Sequence, residues 1–180
     1  AGVMGQGIAA HLANAGIDSV LFDMVPKGVG EGAPASERSA MSIAGIKNAL
    51  KAKPAAFYCK EFAERITPAN YDDDGTLLGD CDLIIEVVVE RLDIKHHVFS
   101  WVAEHRKTGS ILASNTSGLS IADMASPMSD ELKQHFLVMH FFNPVRYMRL
   151  LELVSGEATL PAVTEAVAKF GEKVLGKGIV

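Results

Sequence analysis

The sequence predicts an α/β protein whose core is a doubly wound, mostly parallel β-sheet. Short apolar runs alternate with helical patterns along the 180 residues, as expected of successive βαβ units. Residues 82–89 are dominated by β-branched side chains, which is typical of a parallel strand covered on both faces. The chain also opens with closely spaced glycines that lead straight into an apolar helix. Together these features predict a Rossmann-like fold.

The opening residues match the last five positions of the G-x-G-x-x-G turn that binds dinucleotides. Gly2 would let the backbone approach a pyrophosphate, and Gly5 would let the helix pack closely on the sheet. The free N–H groups at the helix start, on Val3 and Met4, would face the anion. The first glycine of the motif and its strand are missing here. We therefore expect a sheet truncated at its N-terminal strand, in a native protein that extends upstream.

An acidic residue stands where a dinucleotide-binding protein needs one. Residues 19–23 form a short β-rich run that ends in Asp23, about 20 residues past the glycines, as the dinucleotide fingerprint requires. There the carboxylate would accept hydrogen bonds from the ribose hydroxyls and repel a 2′-phosphate, which favours NAD over NADP. The alternative is a solvated acid at a strand end.

The other elements are expected from periodicity, glycine and proline positions, and capping residues. No long linker divides the chain, so we expect residues 1–180 to form one domain, an NAD-binding domain. A surface loop is expected at 24–35 and a solvated acidic turn at 71–75. The expected helices are 36–53, 57–65, 90–106, 120–125 and 160–175, and the expected further strands are 66–67, 110–114, 134–139, 150–154 and 178–180.

Composition narrows the possible partners. A net charge of −5 without clustered cations argues against a nucleic-acid surface. No apolar run has the length of a membrane span, and no secretory signal precedes the first helix. The two cysteines are isolated and fit no metal spacing, which suits a reducing compartment. We expect a cytoplasmic protein that binds neither nucleic acid nor membrane.

A histidine and a glutamate lie on neighbouring apolar runs. His140 follows the apolar residues 136–139, and Glu152 comes 12 positions later within 150–154. A lone histidine in apolar surroundings is more often a satisfied core residue than a catalyst. A buried acid, however, is costly unless paired, and two antiparallel runs could bring Glu152 beside His140. Such a pair is what a general base for an alcohol proton requires.

A polar turn follows the strand expected at 110–114. Ser117 lies in this turn, next to Asn115, and its hydroxyl could hydrogen-bond a substrate oxygen. Its other possible role is to cap the short helix that begins near Ser120. Glu90 and Asn143 are expected at the same edge, because ligands bind beyond the carboxyl ends of strands in open parallel sheets.

Four motifs together resemble the NAD-binding domain of the 3-hydroxyacyl-CoA dehydrogenase family, over essentially all 180 residues. The motifs are Gly2-Val3-Met4-Gly5, the run 85–90, Ala113-Ser114-Asn115-Thr116-Ser117, and His140-Phe141-Phe142-Asn143-Pro144 followed by Glu152. The resemblance implies NAD-dependent oxidation of an (S)-3-hydroxyacyl-CoA to a 3-oxoacyl-CoA in fatty-acid β-oxidation. By the resemblance, His140 takes the hydroxyl proton, Glu152 orients His140, and Ser117 binds the substrate oxygen.

The resemblance also implies a set of cofactor contacts. These would fall on Gly2, Val3, Met4, Gly5, Asp23, Glu90, Lys95, Asn115, Ser117 and Asn143. Lys95 has an alternative role as an exposed helix residue.

The sequence departs from the family pattern at several positions. Arg91 stands where asparagine is common, and Arg146-Tyr147 replace a common proline and valine. Ala49 stands where a serine often binds CoA. Lys51 or Lys53 is still expected to meet the CoA phosphates. These departures concern substrate preference and leave the reaction unchanged.

The family resemblance implies more protein than this chain contains. A downstream helical domain would shape the acyl-CoA site and form a homodimer, so we expect the 180 residues alone to have little or no activity. Two alternatives stay open. A 6-phosphogluconate-type dehydrogenase would use a lysine base and has no role for His140 with Glu152, and a noncatalytic NAD-binding or structural member of the same fold would lack that pair.

Overall fold

A computed structural model describes all residues 1–180, with seven α-helices and seven β-strands. The chain divides into two compact units: unit 1 comprises Ala1–Gly75 with Asn143–Met148, and unit 2 comprises Thr76–Phe142 with Arg149–Val180. No helix combines the length and the apolar character needed to cross a membrane. The elements of unit 1 are α1 (Val3–Asn14), β1 (Ser19–Asp23), α2 (Ala35–Arg38), α3 (Ala40–Lys51) and β2 (Ile66–Asn70).

Unit 1 is a pair of parallel strands packed with small-residue helices. In the β1–β2 register, Ser19 pairs with Ile66 and Asp23 with Asn70, so both strands end at the same edge. Alanines on α1 and α3 allow the helices to approach the strands closely, and a 3₁₀ turn occupies Lys60–Arg65. A second 3₁₀ turn, Gly75–Asp80, lies almost entirely in unit 2. The buried core is formed by Ala9, Ala10, Ala13, Leu21, Ala49, Phe57 and Ile66.

The helix predicted over 36–53 is wrong, because the structure breaks it between α2 and α3 at Ser39. Ser39 is buried and its Oγ accepts a hydrogen bond from Asn70 Nδ2 at 3.1 Å. Arg38 is buried as well and forms a two-point ion pair with Asp73, at 2.5 and 2.8 Å. The break therefore arises from contacts with the last residue of β2 and with the turn that follows it.

The acidic turn at 71–75 is present, but one of its acids is not simply solvated. The hydrogen bonds from Arg38, and then that from Asn70, hold the pKa of the Asp73 carboxyl below its ordinary value. Arg38 also donates through Nη1 to the carbonyl of Gly30 at 3.0 Å, which ties the loop after β1 to the acidic turn.

Unit 2 contains a five-stranded sheet. Its elements are β3 (Leu83–Glu86), α4 (Leu92–His105), β4 (Ile111–Ser114), α5 (Ile121–Ala125), α6 (Asp130–Gln134), β5 (Phe136–Phe141), β6 (Leu150–Ser155), α7 (Pro161–Lys173) and β7 (Gly178–Ile179). The strand order is β3-β4-β5-β6-β7, and every pair is parallel except the antiparallel pair β5–β6. The predicted mostly parallel sheet is confirmed.

Two strands in unit 2 differ by more than one residue from those predicted, each for a local reason. The strand predicted over 82–89 ends at Glu86, because Glu86 Oε1 accepts the N–H of Val88 at 2.6 Å in place of a neighbouring strand. The strand predicted over 134–139 begins two residues later, after helix α6, which the sequence analysis missed. Ser129 caps α6 by accepting the Leu132 N–H at 3.2 Å.

The burial of Lys177 gives the first testable prediction. Lys177 is 6% exposed between α7 and β7, and burial lowers its pKa to about 8. In the unfolded chain the same group titrates near 10.4. Between these values only the unfolded chain binds the proton, so folding stability rises with pH, by on the order of 1 kcal/mol per pH unit. Below pH 8 both states are protonated and the slope disappears.

We expect Lys177→Met to lack this rise, so that its stability advantage over the wild type shrinks from pH 8 to pH 10. Urea unfolding at several pH values measures the difference, with the exposed Lys173→Met as control. Equal pH slopes for Lys177→Met and the wild type would contradict the prediction.

Candidate active site

The first turn of α1 is open to an anion. Gly2 is the N-cap residue, in extended conformation, and no side chain caps the helix. A Cβ placed on Gly2 would meet nothing within 4 Å. The N–H groups of Val3 and Met4 have no partner within an α-helix. This turn fits a pyrophosphate through main-chain donors.

The other glycines of α1 serve packing. Gly5 is buried, as expected of a residue that lets the helix approach the sheet. A Cβ on Gly7 would stand 3.1 Å from Val145 Cγ2, which is tighter than most side-chain contacts. The helix therefore packs closely against the segment 143–148.

Asp23 ends β1, beside the residue that precedes the glycine turn. Its Oδ2 lies 2.6 Å from the main-chain nitrogen of Ala1, and its Oδ1 accepts the Met24 N–H at 2.7 Å. The carboxylate thus lies next to the start of α1.

The structure brings His140 and Glu152 together. They are direct partners in the antiparallel β5–β6 register, and His140 Nδ1 lies 2.8 Å from Glu152 Oε2. The His140 side chain is 19% exposed and that of Glu152 is 44% exposed. The expectation that Glu152 is buried is wrong, because 44% of its side chain is exposed.

This arrangement makes His140 a potential proton acceptor. An ionised Glu152 can only accept hydrogen bonds, so Nδ1 carries the imidazole proton and Nε2 carries the lone pair. Nε2 makes no hydrogen bond within the chain, and the ring packs against Phe142 with centroids 4.4 Å apart. A histidine held in one tautomer by a carboxylate, with its other nitrogen accessible, can act as a general base.

The polar turn after β4 is tied to the strand that carries His140. Asn115 Oδ1 accepts the N–H of Phe141 at 2.8 Å. Ser117 is exposed, and its hydroxyl makes no hydrogen bond within the chain. Ser117 does not cap α5, since that role belongs to Ser120, which accepts the Asp123 N–H. The structure therefore leaves the Ser117 hydroxyl available to a ligand.

Glu90 organises the same turn. Its Oε1 accepts hydrogen bonds from the Thr116 hydroxyl, from the Ser117 N–H at 3.1 Å and from the Gly118 N–H at 3.2 Å. Partial burial alone would raise the pKa of Glu90, but these hydrogen bonds and the charge of Lys95 together lower it below its ordinary value. Glu90 was expected to begin a helix, whereas α4 starts at Leu92 and leaves Glu90 facing the turn.

Lys95 is not an exposed helix residue. Its side chain is 1% exposed, and Nζ lies 2.9 Å from each carboxylate oxygen of Glu86. Glu86 was not predicted as a site residue from the sequence, although an acid inside a β-branched strand indicates a buried partner. Ser114 Oγ also donates to Glu86, at 2.6 Å. A buried ion pair therefore lies beneath the turn that Glu90 holds.

The remaining predicted site residues lie in unit 1. Asn143 is exposed at the start of the segment 143–148, Lys51 ends α3, and Lys53 is exposed two residues later. Ala49 is buried in the core, so no polar group stands there.

Arg146 and Tyr147, which depart from the family pattern, have a structural explanation. Arg146 Nη1 donates to the carbonyls of Ala55 and Phe57, at 2.8 and 2.9 Å, and its guanidinium lies 4.1 Å from the centre of the Tyr58 ring. Tyr147 Oη donates to the Ala55 carbonyl at 3.1 Å. Together they fix the segment that follows Lys53.

Comparison with known proteins identifies the relatives of this chain. The family whose sequence model matches residues 1–180 is described as "3-hydroxyacyl-CoA dehydrogenase, NAD binding domain". A probable 3-hydroxyacyl-CoA dehydrogenase of Bacillus subtilis is 49% identical over 187 residues, covering 99% of this chain and 24% of that protein. A putative fatty acid oxidation complex trifunctional enzyme of Rickettsia felis is 38% identical over 179 residues, again covering 99% and 24%. The crystal structure of 3-hydroxybutyryl-CoA dehydrogenase from Escherichia coli K12 superposes with a TM-score of 0.76 at 30% identity, covering 99% of this chain and 36% of that one.

These matches define the class as NAD-dependent oxidoreductases with a Rossmann-like α/β fold. The chain belongs to the 3-hydroxyacyl-CoA dehydrogenase family and corresponds to its NAD-binding domain. The predicted fold, family and cofactor are confirmed. The chain spans about a quarter of the length of the two relatives described above.

The hydrogen bonds of Thr116 give a prediction about stability. Its buried hydroxyl donates to Glu90 and accepts the Leu119 N–H at 3.2 Å. Thr116→Val keeps the shape and removes both bonds, so we expect a loss of about 1–3 kcal/mol in the free energy of unfolding. Urea unfolding measures it. The exposed Thr108→Val is the control and should change stability by less than about 0.5 kcal/mol; equal effects at the two positions would refute this role of Thr116.

Proposed function

We propose that the protein containing this chain oxidises (S)-3-hydroxyacyl-CoA to 3-oxoacyl-CoA with NAD⁺, as part of fatty-acid β-oxidation. The observation that carries the proposal is the His140–Glu152 pair, with Nδ1 and Oε2 2.8 Å apart and Nε2 without a partner in the chain. The names of the relatives support the substrate class and the pathway. A noncatalytic member of the fold would have no use for this pair.

In the proposed reaction His140 Nε2 takes the proton of the 3-hydroxyl group. Glu152 keeps the imidazole in the required tautomer and stabilises the imidazolium that forms. The Ser117 hydroxyl donates a hydrogen bond to the substrate oxygen as that oxygen becomes a carbonyl. NAD⁺, when bound, accepts the hydride.

The proposed cofactor contacts follow from the chemistry of each group. The main-chain donors of Gly2, Val3, Met4 and Gly5 would bind the pyrophosphate, and Asp23 would bind the ribose and exclude a 2′-phosphate. By the family resemblance, Glu90, Asn115, Ser117, Asn143 and Lys95 complete the set.

Three further proposals concern CoA binding, cellular location and assembly. Lys51 and Lys53 are exposed cations that would meet CoA phosphates. A cytoplasmic location is supported by Cys59 and Cys81, which form no disulfide. We also propose a homodimer formed through a helical domain.

Replacement of His140 by Gln tests the proposed base. We expect kcat to fall about 10²–10⁴-fold, because proton abstraction loses its acceptor. NADH binding should be retained, since glutamine keeps the size and polarity of the side chain. Acetoacetyl-CoA-dependent NADH oxidation measures the rate, and the exposed His97→Gln serves as the control. A variant with nearly normal turnover would show that His140 is not the base.

A comparison of the 180-residue chain with a longer natural form tests whether further segments contribute to the acyl-CoA site. The two relatives described above are about four times as long as this chain, so we propose that residues beyond these 180 complete the acyl-CoA site. We expect the 180-residue chain to bind NADH but to oxidise it with acetoacetyl-CoA at least about 10²-fold more slowly than a longer natural form, because substrate positioning is lost. Comparable rates for the two forms would refute the proposal.

A further inference from the structure

We propose that Arg38 is a positioning residue for the cofactor. It orders the loop of residues 24–34, which follows β1, so that Asp23 and this loop are preorganised for the adenosine half of NAD. The inference rests on the proposed function in one respect only, namely that Asp23 binds the ribose of the adenosine. All the residues that carry it lie in unit 1.

Arg38 joins the two segments that leave the carboxyl ends of β1 and β2. Its Nε and Nη2 donate to the two carboxylate oxygens of Asp73, in the acidic turn, at 2.5 and 2.8 Å. Its Nη1 donates to the carbonyl of Gly30, in the loop, at 3.0 Å. The Arg38 side chain is 7% exposed. A buried planar guanidinium that donates in three directions fixes its partners in one relative position.

The loop depends on this bond for its attachment. The hydrogen bonds that residues 25–33 make among themselves close two turns, from the Val29 N–H to the Pro26 carbonyl and from the Ala33 N–H to the Gly30 carbonyl, each at 3.1 Å. None of residues 24–34 is buried. A segment with exposed backbone and no buried side chain opens at a small cost in free energy. The bond from Arg38 to the Gly30 carbonyl therefore limits the motion of the loop.

Asp23 lies between the loop and the acidic turn and is bonded to both. Its Oδ1 accepts the N–H of Met24, the first residue of the loop, at 2.7 Å. Its main-chain carbonyl accepts the N–H of Tyr71, the first residue of the turn, at 3.2 Å. A displacement of the loop would therefore change the surroundings of the Asp23 carboxylate.

The acidic turn is the rigid side of this arrangement. Asn70, at the end of β2, is 1% exposed; its Oδ1 accepts the Asp73 N–H at 2.9 Å and its Nδ2 donates to Asp73 Oδ2 at 3.0 Å. The buried Ser39 accepts a further hydrogen bond from Asn70 Nδ2 at 3.1 Å. Asp73 is thus a fixed acceptor, and through Arg38 it sets the position of the loop.

Disorder of the loop is expected to weaken the binding of one half of the cofactor. A loop that spends only a fraction of the time in the binding arrangement raises the apparent Kd in inverse proportion to that fraction. Reduced nicotinamide mononucleotide, NMNH, carries the nicotinamide half of NADH and has no adenosine. Its binding does not depend on Asp23 or on the loop, so the ratio of the two dissociation constants isolates the proposed role.

The test removes the ion pair in a matched way. Arg38→Met with Asp73→Asn removes both charges, so that no unpaired ion stays buried. The control is Arg65→Met with Asp18→Asn. Arg65 resembles Arg38 in its bonds, since Nη1 donates to Asp18 Oδ1 at 2.9 Å and to a glycine carbonyl, that of Gly16, at 3.2 Å, but it does so at the other end of β1.

Both double variants are made in the longer natural form, and the fluorescence of the dihydronicotinamide measures Kd for NADH and for NMNH. We expect Arg38→Met/Asp73→Asn to raise the Kd for NADH about 10–30-fold and to leave that for NMNH within about twofold of the wild type. The control should change neither. Equal weakening of the two ligands, an unchanged Kd for NADH, or the same loss in the control would overturn the proposal.

Arg38→Lys is a second variant in case the double variant does not fold. It keeps the charge, but an ammonium group lacks the planar arrangement of donors that reaches Asp73 twice and Gly30 once. We expect the Kd for NADH to rise at least about threefold and the Kd for NMNH to stay unchanged. Normal binding of NADH by Arg38→Lys would show that the loop needs only a cation and would contradict the geometric role of Arg38.

A readout without any ligand reports the order of the loop itself. Trypsin cleaves after Lys27, which is exposed in the loop, and after Lys107, which is exposed in a turn of unit 2. We expect Arg38→Met/Asp73→Asn to speed cleavage after Lys27 at least about fivefold, with no change after Lys107 and no change in the control variant. Mass spectrometry of the fragments measures the rates. Unchanged cleavage after Lys27 would overturn the ordering role, whatever reaction the protein catalyses.

Asp23→Asn tests the proposed ribose contact separately. Asparagine keeps an oxygen for the Met24 N–H but lacks the charge and the second acceptor oxygen of the carboxylate. We expect weaker binding of NADH without faster cleavage after Lys27. An unchanged Kd for NADH in Asp23→Asn would contradict the ribose contact, which belongs to the proposed function, and the cleavage rates would still decide whether Arg38 orders the loop.

Discussion

The antiparallel pairing of β5 with β6 determines the chemistry that the sheet of unit 2 can offer. Its register places His140 directly opposite Glu152 and Phe141 opposite Leu151. A slip of one residue would move every side chain of β6 to the other face, which would bury the glutamate and expose the leucine. Because Leu151 is completely buried, the hydrophobic effect holds the register, and packing thereby aligns the two polar groups.

The same strand pair also organises the turn after β4. Asn115 binds the main chain of Phe141, next to His140, so the turn and the histidine share one anchor. Glu90 holds the other side of the turn through Ser117 and Gly118. The turn is thus held on both sides by hydrogen bonds between side chains and main-chain N–H groups. None of these bonds uses the hydroxyl of Ser117, which remains exposed and available.

Sequence patterns predicted most of this architecture but not its buried charges. The β1 bounds, the parallel sheet and the identity of the histidine–glutamate pair followed from local periodicity and from motifs. The break at Ser39 did not, because it depends on Asn70, 31 residues away. The burial of Lys95 was likewise invisible, since a lysine on a helix is ordinarily exposed.

The end of β3 shows the physical limit of such predictions. A run of β-branched residues indicates where a strand can form, but hydrogen bonding decides where it stops. Here the Glu86 side chain takes the N–H of Val88 that a neighbouring strand would otherwise bind. Competition between a side chain and a strand for one donor depends on the fold around it, so no spacing rule would have located it.

The proposed recognition of an anion by main-chain N–H groups has a consequence for how the first turn of α1 can vary. The donors at Val3 and Met4 belong to the backbone, and every residue except proline supplies one. The exposed side chain of Val3 can therefore change freely as far as an anion is concerned. Gly2 is constrained because it has no side chain. Any side chain there would enter the open space in front of the helix. At this turn, evolution is expected to conserve an empty volume more strictly than any functional group.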